Sequence, residues 1–264
     1  MKKITFCKSL LLLLLPFSQL IVNAQSVNTE WATKVNQAFS GIDKNRIPHS
    51  LLKDYAMEFT DLTAYNGVLT DTNYVSKGTL TSIYNTLLMA RVQTNVPGLV
   101  SPTLYSNNWT RLRQKNTIVL SGLYYKYSQF KTDAYPNYIT LSNEKFYDKF
   151  VEGIWQNPYE EKQVFAITTP IVKYKGLSTT VQIPSSLWYT NQSGSVQSIA
   201  VDFDNGNGYI NIPFNNSYIL QYAEEGIKNW KYKLTLSDGQ VLYCQSRIIF
   251  EKTAPTAPWN NRLR

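Results

Sequence analysis

Trp230-Lys231-Tyr232-Lys233-Leu234-Thr235-Leu236 is the stretch on which the fold turns. Large apolar side chains alternate with polar ones over seven positions. Successive strand side chains point to opposite faces, so this is a β-strand with one buried face and one wet one. Ser237-Asp238-Gly239 turns the chain into 241–250, so a hairpin closes the region. Upstream, Ser198-Ile199-Ala200-Val201-Asp202-Phe203 reads as a strand that runs into Asp204-Asn205-Gly206-Asn207-Gly208. There Gly206 and Gly208 can take positive φ, and the Asp and Asn side chains can bond the turn backbone. Tyr222-Ala223-Glu224-Glu225-Gly226 is a second turn, feeding the alternating strand.

These segments carry a resemblance. Val201-Asp202-Phe203-Asp204-Asn205-Gly206 is similar to the Trp-Asp-Phe-Gly-Asp-Gly core motif of polycystic-kidney-disease (PKD) domains. The run from Leu220-Gln221-Tyr222 through Gly226 to Leu234-Thr235-Leu236-Ser237-Asp238-Gly239 resembles their Tyr-x-x-x-Gly-x-Tyr-x-Val-x-Leu-x-Val-x-Asp-x-x-Gly stretch, in the same order. Val201 stands where the family has tryptophan, Asn205 where it has an acid, and Trp230 near its usual tyrosine. The resemblance implies an antiparallel, immunoglobulin-like β-sandwich over 165–252. Such modules serve secreted and surface proteins as spacers, adhesion units or accessories to hydrolases, with surface proteins or polysaccharides as partners.

Further short strands are read at Val164-Phe165-Ala166-Ile167 and 179–183, bounded by Pro170, Gly176 and Pro184. The run 118–127 reads as a strand with Val119, Leu123, Tyr125 and Tyr127 on one face; 146–159 reads equally as helix or loop. Before that the period is helical. Trp31, Val35, Ala38 and Phe39 share a face, capped by Asn28 or Thr29 and stopped by Gly41. A second helix is expected from Pro48, with Leu52, Tyr55, Ala56 and Phe59 as its stripe. A third carries Leu80, Ile83, Tyr84, Leu87 and Leu88, and a short helical piece surrounds Trp109 and Leu112. The expected fold is α+β. A mainly helical region (25–114) and a mixed β-rich connection (115–164) precede the sandwich (165–252), and a linker-like tail follows (253–264). Ile47-Pro48-His49-Ser50-Leu51-Leu52-Lys53-Asp54-Tyr55 resembles the front part of secreted Bacteroidota proteins, a likeness that brings no activity with it.

The first 24 residues read as a cleavable signal peptide: Lys2, Lys3 and Lys8, then an unbroken leucine run from Leu10 to Leu15, then Val22-Asn23-Ala24 before Gln25. The apolar core is shorter than the roughly 20 residues that span a bilayer, and Pro16 interrupts it. The mature protein is therefore expected outside the cytoplasm (extracellular, cell-surface or periplasmic), with no transmembrane span. Removing three lysines lowers the formal charge from +8 to +5. The remaining Lys and Arg are scattered, and Arg111, Arg113 and Lys115 read as a solvated face, so nucleic acid is not an expected partner. Cys7 leaves with the signal, so Cys244 has no disulfide partner and stability rests on burial.

No catalytic, cofactor or metal site is expected. His49 is the only histidine; as a general base it would need Asp54 or Asp61 to orient it, and no nucleophile elbow or metalloprotease motif accompanies it. Asp54, Glu58 and Asp61, interleaved with Lys53, read as a solvated face. Asp202, Asp204 and Asn207 crowd oxygen ligands as calcium loops do, but Gly206 is displaced from the calcium pattern and no carboxylate closes it. The expected function is a non-catalytic secreted or surface protein for adhesion, spacing or assembly. The alternative is the non-catalytic front of a larger secreted hydrolase, to which Thr253-Ala254-Pro255-Thr256-Ala257-Pro258 would be the linker.

Overall fold

The computed structural model describes residues 30–252; the signal peptide expected at 1–24 and the tail at 253–264 lie outside the described residues. The backbone gathers into two compact units. Among the described residues, one comprises 30–43 with Lys131–Pro158, the other Lys44–Phe130 with 159–252. The protein is α+β, with its C-terminal part mostly β-sheet.

In the smaller unit, helix α1 is described over 30–38 and the helical face is the expected one: Trp31, Val35 and Ala38 are half-buried and Phe39 is buried. In the larger unit, α2 (Lys77–Met89) starts at Ser76, whose Oγ accepts the Thr79 N–H at 3.0 Å. It buries Leu80, Ile83, Tyr84 and Leu87 completely. Helix α3 (Pro102–Arg111) has proline in its first turn and buries Tyr105 and Trp109. The Trp109 Nε1–H donates to the Val119 carbonyl at 2.9 Å.

The helix expected from Pro48 does not form. Two 3-10 turns, Pro48–Ser50 and Lys53–Tyr55, flank Leu51 and Leu52 in extended backbone. Both leucines are wholly buried. The Leu52 N–H donates to the Ala90 carbonyl, and the Leu51 carbonyl accepts from Ser128 N–H. Phe59, placed by periodicity on the buried stripe, is 52% exposed. Pairing with residues distant in sequence here overrides local period.

The run 118–127 also differs from expectation. It breaks at Leu120 into β1 (Thr117–Val119) and β2 (Ser121–Phe130), which join different sheets. Both faces of β2 are buried: Leu123, Tyr125 and Tyr127 on one, Gly122, Tyr124 and Ser128 on the other. A central strand covered on both sides loses the alternation of an exposed one. In the smaller unit, β3 (Ile139–Ser142) pairs with β4 (Lys145–Asp148), and β5 (Phe150–Val151) with β6 (Ile154–Trp155). Residues 146–159, undecided between helix and loop, are thus largely two short ribbons. Phe39 packs on Phe146 at 5.3 Å, and Asp148 accepts from Asp43 N–H and Trp155 Nε1–H.

The remaining strands are β7 (Tyr159–Thr168), β8 (Lys173–Lys175), β9 (Ser178–Gln182), β10 (Trp188–Thr190), β11 (Val196–Asp202), β12 (Tyr209–Asn211), β13 (Ser217–Gln221), β14 (Gly226–Leu236) and β15 (Val241–Glu251). They form sheets of order β12-β11-β14-β15-β8, β1-β9-β13 and β10-β2-β7. On β14, Trp230, Tyr232, Leu234 and Leu236 are buried while Lys231 is exposed, as the alternation predicts. The turn after Phe203 uses Gly206 (φ +84°) and Gly208 (φ +68°), with Asp202 and Asn205 side chains accepting backbone N–H groups two residues on. Phe203 stacks on Tyr218 at 5.2 Å and meets Trp230 edge-on at 4.9 Å. The five-stranded sheet and β1-β9-β13 therefore face one another across a shared aromatic core, an arrangement compatible with a β-sandwich. The sheets are mixed rather than purely antiparallel: β1 runs parallel to β9, β8 to β15 and β10 to β2. Long connections separate the members of each parallel pair, and a parallel pairing requires such connections.

Candidate functional site

The site lies along the free edge of β7, the outer strand of β10-β2-β7. Its ladder with β2 runs without a shift from Ser121↔Thr168 to Phe130↔Tyr159. Lys126 N–H donates to Asn191 Oδ1 at 3.1 Å, and Ser128 N–H to the Leu51 carbonyl at 2.9 Å, both away from β7. Lys126 faces Gln163 and Ser128 faces Glu161. These are therefore non-hydrogen-bonded pairs, and the N–H and C=O of Glu161 and Gln163 point outward from the sheet. Ile167, of the same parity, shows where such a group goes: its N–H donates to Cys244 Sγ at 3.2 Å. Among the described residues no backbone group pairs with Glu161 or Gln163 on this side.

A cleft of about 560 Å³ opens at that edge. Glu161, Lys162 and Gln163 line it in succession, which one strand can do only along its edge. Thr63, Asn66 and Val68 contribute to the lining from one loop, and Gln240 from the β14–β15 turn. Tyr127 and Gln129 also line it. The Tyr127 side chain is fully buried, and its hydroxyl has no hydrogen-bond partner. Burial, reinforced by the nearby carboxylates of Asp61, Glu58 and Glu160, pushes that phenol's pKa well up, so it stays a neutral donor and acceptor.

Glu161 organises the rim. Its Oε2 lies 2.6 Å from His49 Nε2 and its Oε1 2.9 Å from Lys126 Nζ. Partial burial pushes the carboxyl pKa up; the hydrogen bonds from His49 and Lys126, with the charge of Lys126, outweigh it and leave the pKa below the usual glutamate value. The other ring nitrogen, Nδ1, is 3.3 Å from Gln192 Nε2. With that amide donating, the proton sits on Nε2 and is given to Glu161. Both nitrogens are thus engaged, one by a carboxylate and the other by an amide. His49 itself sits at φ +59°, and Ser50 at φ +55°. A local conformation that L side chains rarely adopt is held there by the contacts of the ring.

The residues considered to orient His49 do other work. Asp54 Oδ2 accepts Phe130 N–H at 2.7 Å. Asp61 caps the next turn through Thr63 N–H at 3.0 Å and pairs with Lys53, as does Glu58. Glu161 takes their place, 112 residues from His49 in sequence. In the candidate calcium loop, Asp202 holds Asp204 N–H and Asp204 holds Asn229 N–H, while Asn207 donates its backbone N–H to Asn205. Among the described residues no group of three or more His, Cys, Asp or Glu could hold a metal ion. Cys244 is buried, and burial pushes its thiol pKa far up, so it is no thiolate nucleophile. Arg111, Arg113 and Lys115 are all exposed. Among the described residues no helix is long and apolar enough to cross a membrane.

Sequence reasoning weighed His49 and set it aside, and it missed Lys126, Tyr127, Glu161 and Gln163. The one available signal was Lys126, a charged residue in an otherwise apolar and aromatic strand run. Neither the protein-family models nor the curated proteins contain a match to this chain.

Proposed function

We propose that the protein is an exported, non-catalytic binding protein, acting in adhesion or assembly at the cell surface through a PKD-like β-sandwich and the cleft on the β7 edge. The observation that carries this reading is the polar cleft at the β7 edge, where the outward-facing backbone groups of Glu161 and Gln163 have no strand partner among the described residues. Such groups can pair with the donors and acceptors of a bound ligand. The engagement of both His49 nitrogens by Glu161 and Gln192 supports binding rather than turnover. The aromatic core around Phe203, Tyr222 and Trp230 supports the PKD likeness, since these residues lie in or beside the matched motifs. The signal sequence supports export, with a mature chain beginning at Gln25.

The test has two arms. N-terminal sequencing of exported material should return Gln25; a soluble cytoplasmic product with Met1 intact would overturn the localisation. The mature chain should sediment with envelope material and turn over no ester, peptide or glycoside substrate. Turnover that disappears in His49→Ala would overturn the non-catalytic reading.

A further inference from the structure

From the cleft's geometry we infer its occupant: an extended, uncharged peptide segment of a partner protein, added to β7 as a fourth strand of the sheet. The inference rests on the binding reading above and names the partner chemistry.

The first ground is the edge itself. Glu161 and Gln163 each turn an N–H and a C=O into the cleft, two residues apart and so about 6.6–6.8 Å apart along the strand. This repeat of paired donor and acceptor is what the main chain of another strand offers and little else does. Charge is the second ground. Lys126 is held by Glu161, Glu161 by both Lys126 and His49, and Lys162 by Glu160. The charged residues of the lining neutralise one another, leaving amides and hydroxyls (Gln163, Gln240, Asn66, Thr63) to meet a ligand. That lining does not select a phosphate or a polyanion. Nor does it present an open aromatic face on which a sugar ring could stack: Tyr127 is its one aromatic residue and is wholly buried. The cleft's volume is that of an ordinary ligand site, roughly 300–1,000 Å³.

The experiment uses the mature full chain and amide exchange read by NMR. In the free protein the Glu161 and Gln163 N–H groups should exchange fast, between slow neighbours Lys162 and Val164 whose N–H groups bond β2. A pool of fluorescein-labelled hexapeptides alternating Ser or Thr with Val or Tyr is then screened by anisotropy. Bound members should slow exchange at positions 161 and 163. N-methylation at alternate residues of a binder should weaken it about tenfold or more, as should Gln163→Pro, which removes an outward N–H on an edge strand that tolerates proline. Slow exchange at 161 and 163 in the free chain, no binder in the pool, or binding indifferent to N-methylation would each overturn the inference. Cellohexaose, maltohexaose and chitohexaose are run alongside. If one of them competes at the cleft, the peptide assignment fails and the adhesion reading stands. If the chain binds neither peptide, glycan nor envelope material, that broader reading fails too.

Discussion

Tyr222 closes a chain of two hydrogen bonds in the aromatic core: its hydroxyl donates to the Phe203 carbonyl at 2.5 Å and accepts the Trp230 indole N–H at 2.8 Å. Tyr222→Phe would leave both a buried carbonyl and a buried indole N–H unpaired, which should cost about 1–3 kcal/mol. Tyr127→Phe removes a hydroxyl that has no partner, so urea unfolding of the full chain should show it within about 0.5 kcal/mol of wild type. Equal losses in the two variants would show that the hydroxyls are equally bonded and the assignment wrong. Glu161 gives a pH dependence. Its folded-state pKa is depressed below 4.5 by the bonds from His49 and Lys126 winning over burial. Its stabilising contribution is therefore complete above that value and fades as pH falls through the lower, folded pKa. A side-chain carboxyl titration by NMR should show a midpoint below 4.5 that rises in the His49→Ala, Lys126→Met double variant. At this scale the site was barely legible in the sequence. His49 stood out as the lone histidine, but its partner is 112 residues away and reaches it only because β7 carries Glu161 past the Pro48 turn. No local pattern encodes such a meeting.

Elements were legible in proportion to how one-sided their burial is. β14 has one face in the core, so its alternation could be read directly; α2 shows the same for the helical period. On β14 Leu234 is completely buried, whereas Lys233 lies 5.3 Å over the Tyr209 ring and is partly exposed. Leu234→Ala should therefore cost about 2–5 kcal/mol and Lys233→Ala no more than about 1 kcal/mol, the size of an exposed cation–π contact. Similar losses at the two positions in urea melts would mean a one-residue slip of the strand. β2 gave a weaker signal because it is covered on both sides, and 48–59 gave a misleading one. There Leu51 and Leu52 are both drawn inward by backbone bonds to Ala90 and Ser128. The spacing of apolar residues mimics a helix when tertiary bonding, not period, decides which side chains are buried.

At the scale of the molecule, the chain builds its larger unit discontinuously, from Lys44–Phe130 and the residues after Tyr159. β1 and β2 come from the first piece, while their partners β9 and β7 come from the second. A fragment of 160–252 would lack β1 and β2 and so expose the inner faces of β7 and β9, including Val164, Ala166 and Val181, all wholly buried in the full chain. Apolar surface of this kind stabilises by about 25 cal/mol per Å² when buried, and losing it from two sheets at once should leave the fragment without a cooperative transition. The inserted piece behaves differently. Its ends meet, because Lys131 N–H donates to the Pro158 carbonyl at 2.9 Å, so a short turn can replace 132–157 without stretching the chain. A protein of residues 44–252 with 132–157 replaced by Gly-Ser-Gly should keep β2 and β7 paired and unfold in a single urea transition. Amide exchange supplies a second readout: Lys162 and Val164 should stay slow in the shortened chain, since their N–H groups bond β2 rather than anything in the excised segment. A shortened chain that fails to fold, beside a 160–252 fragment that folds, would reverse the assignment of β1 and β2 to the larger unit.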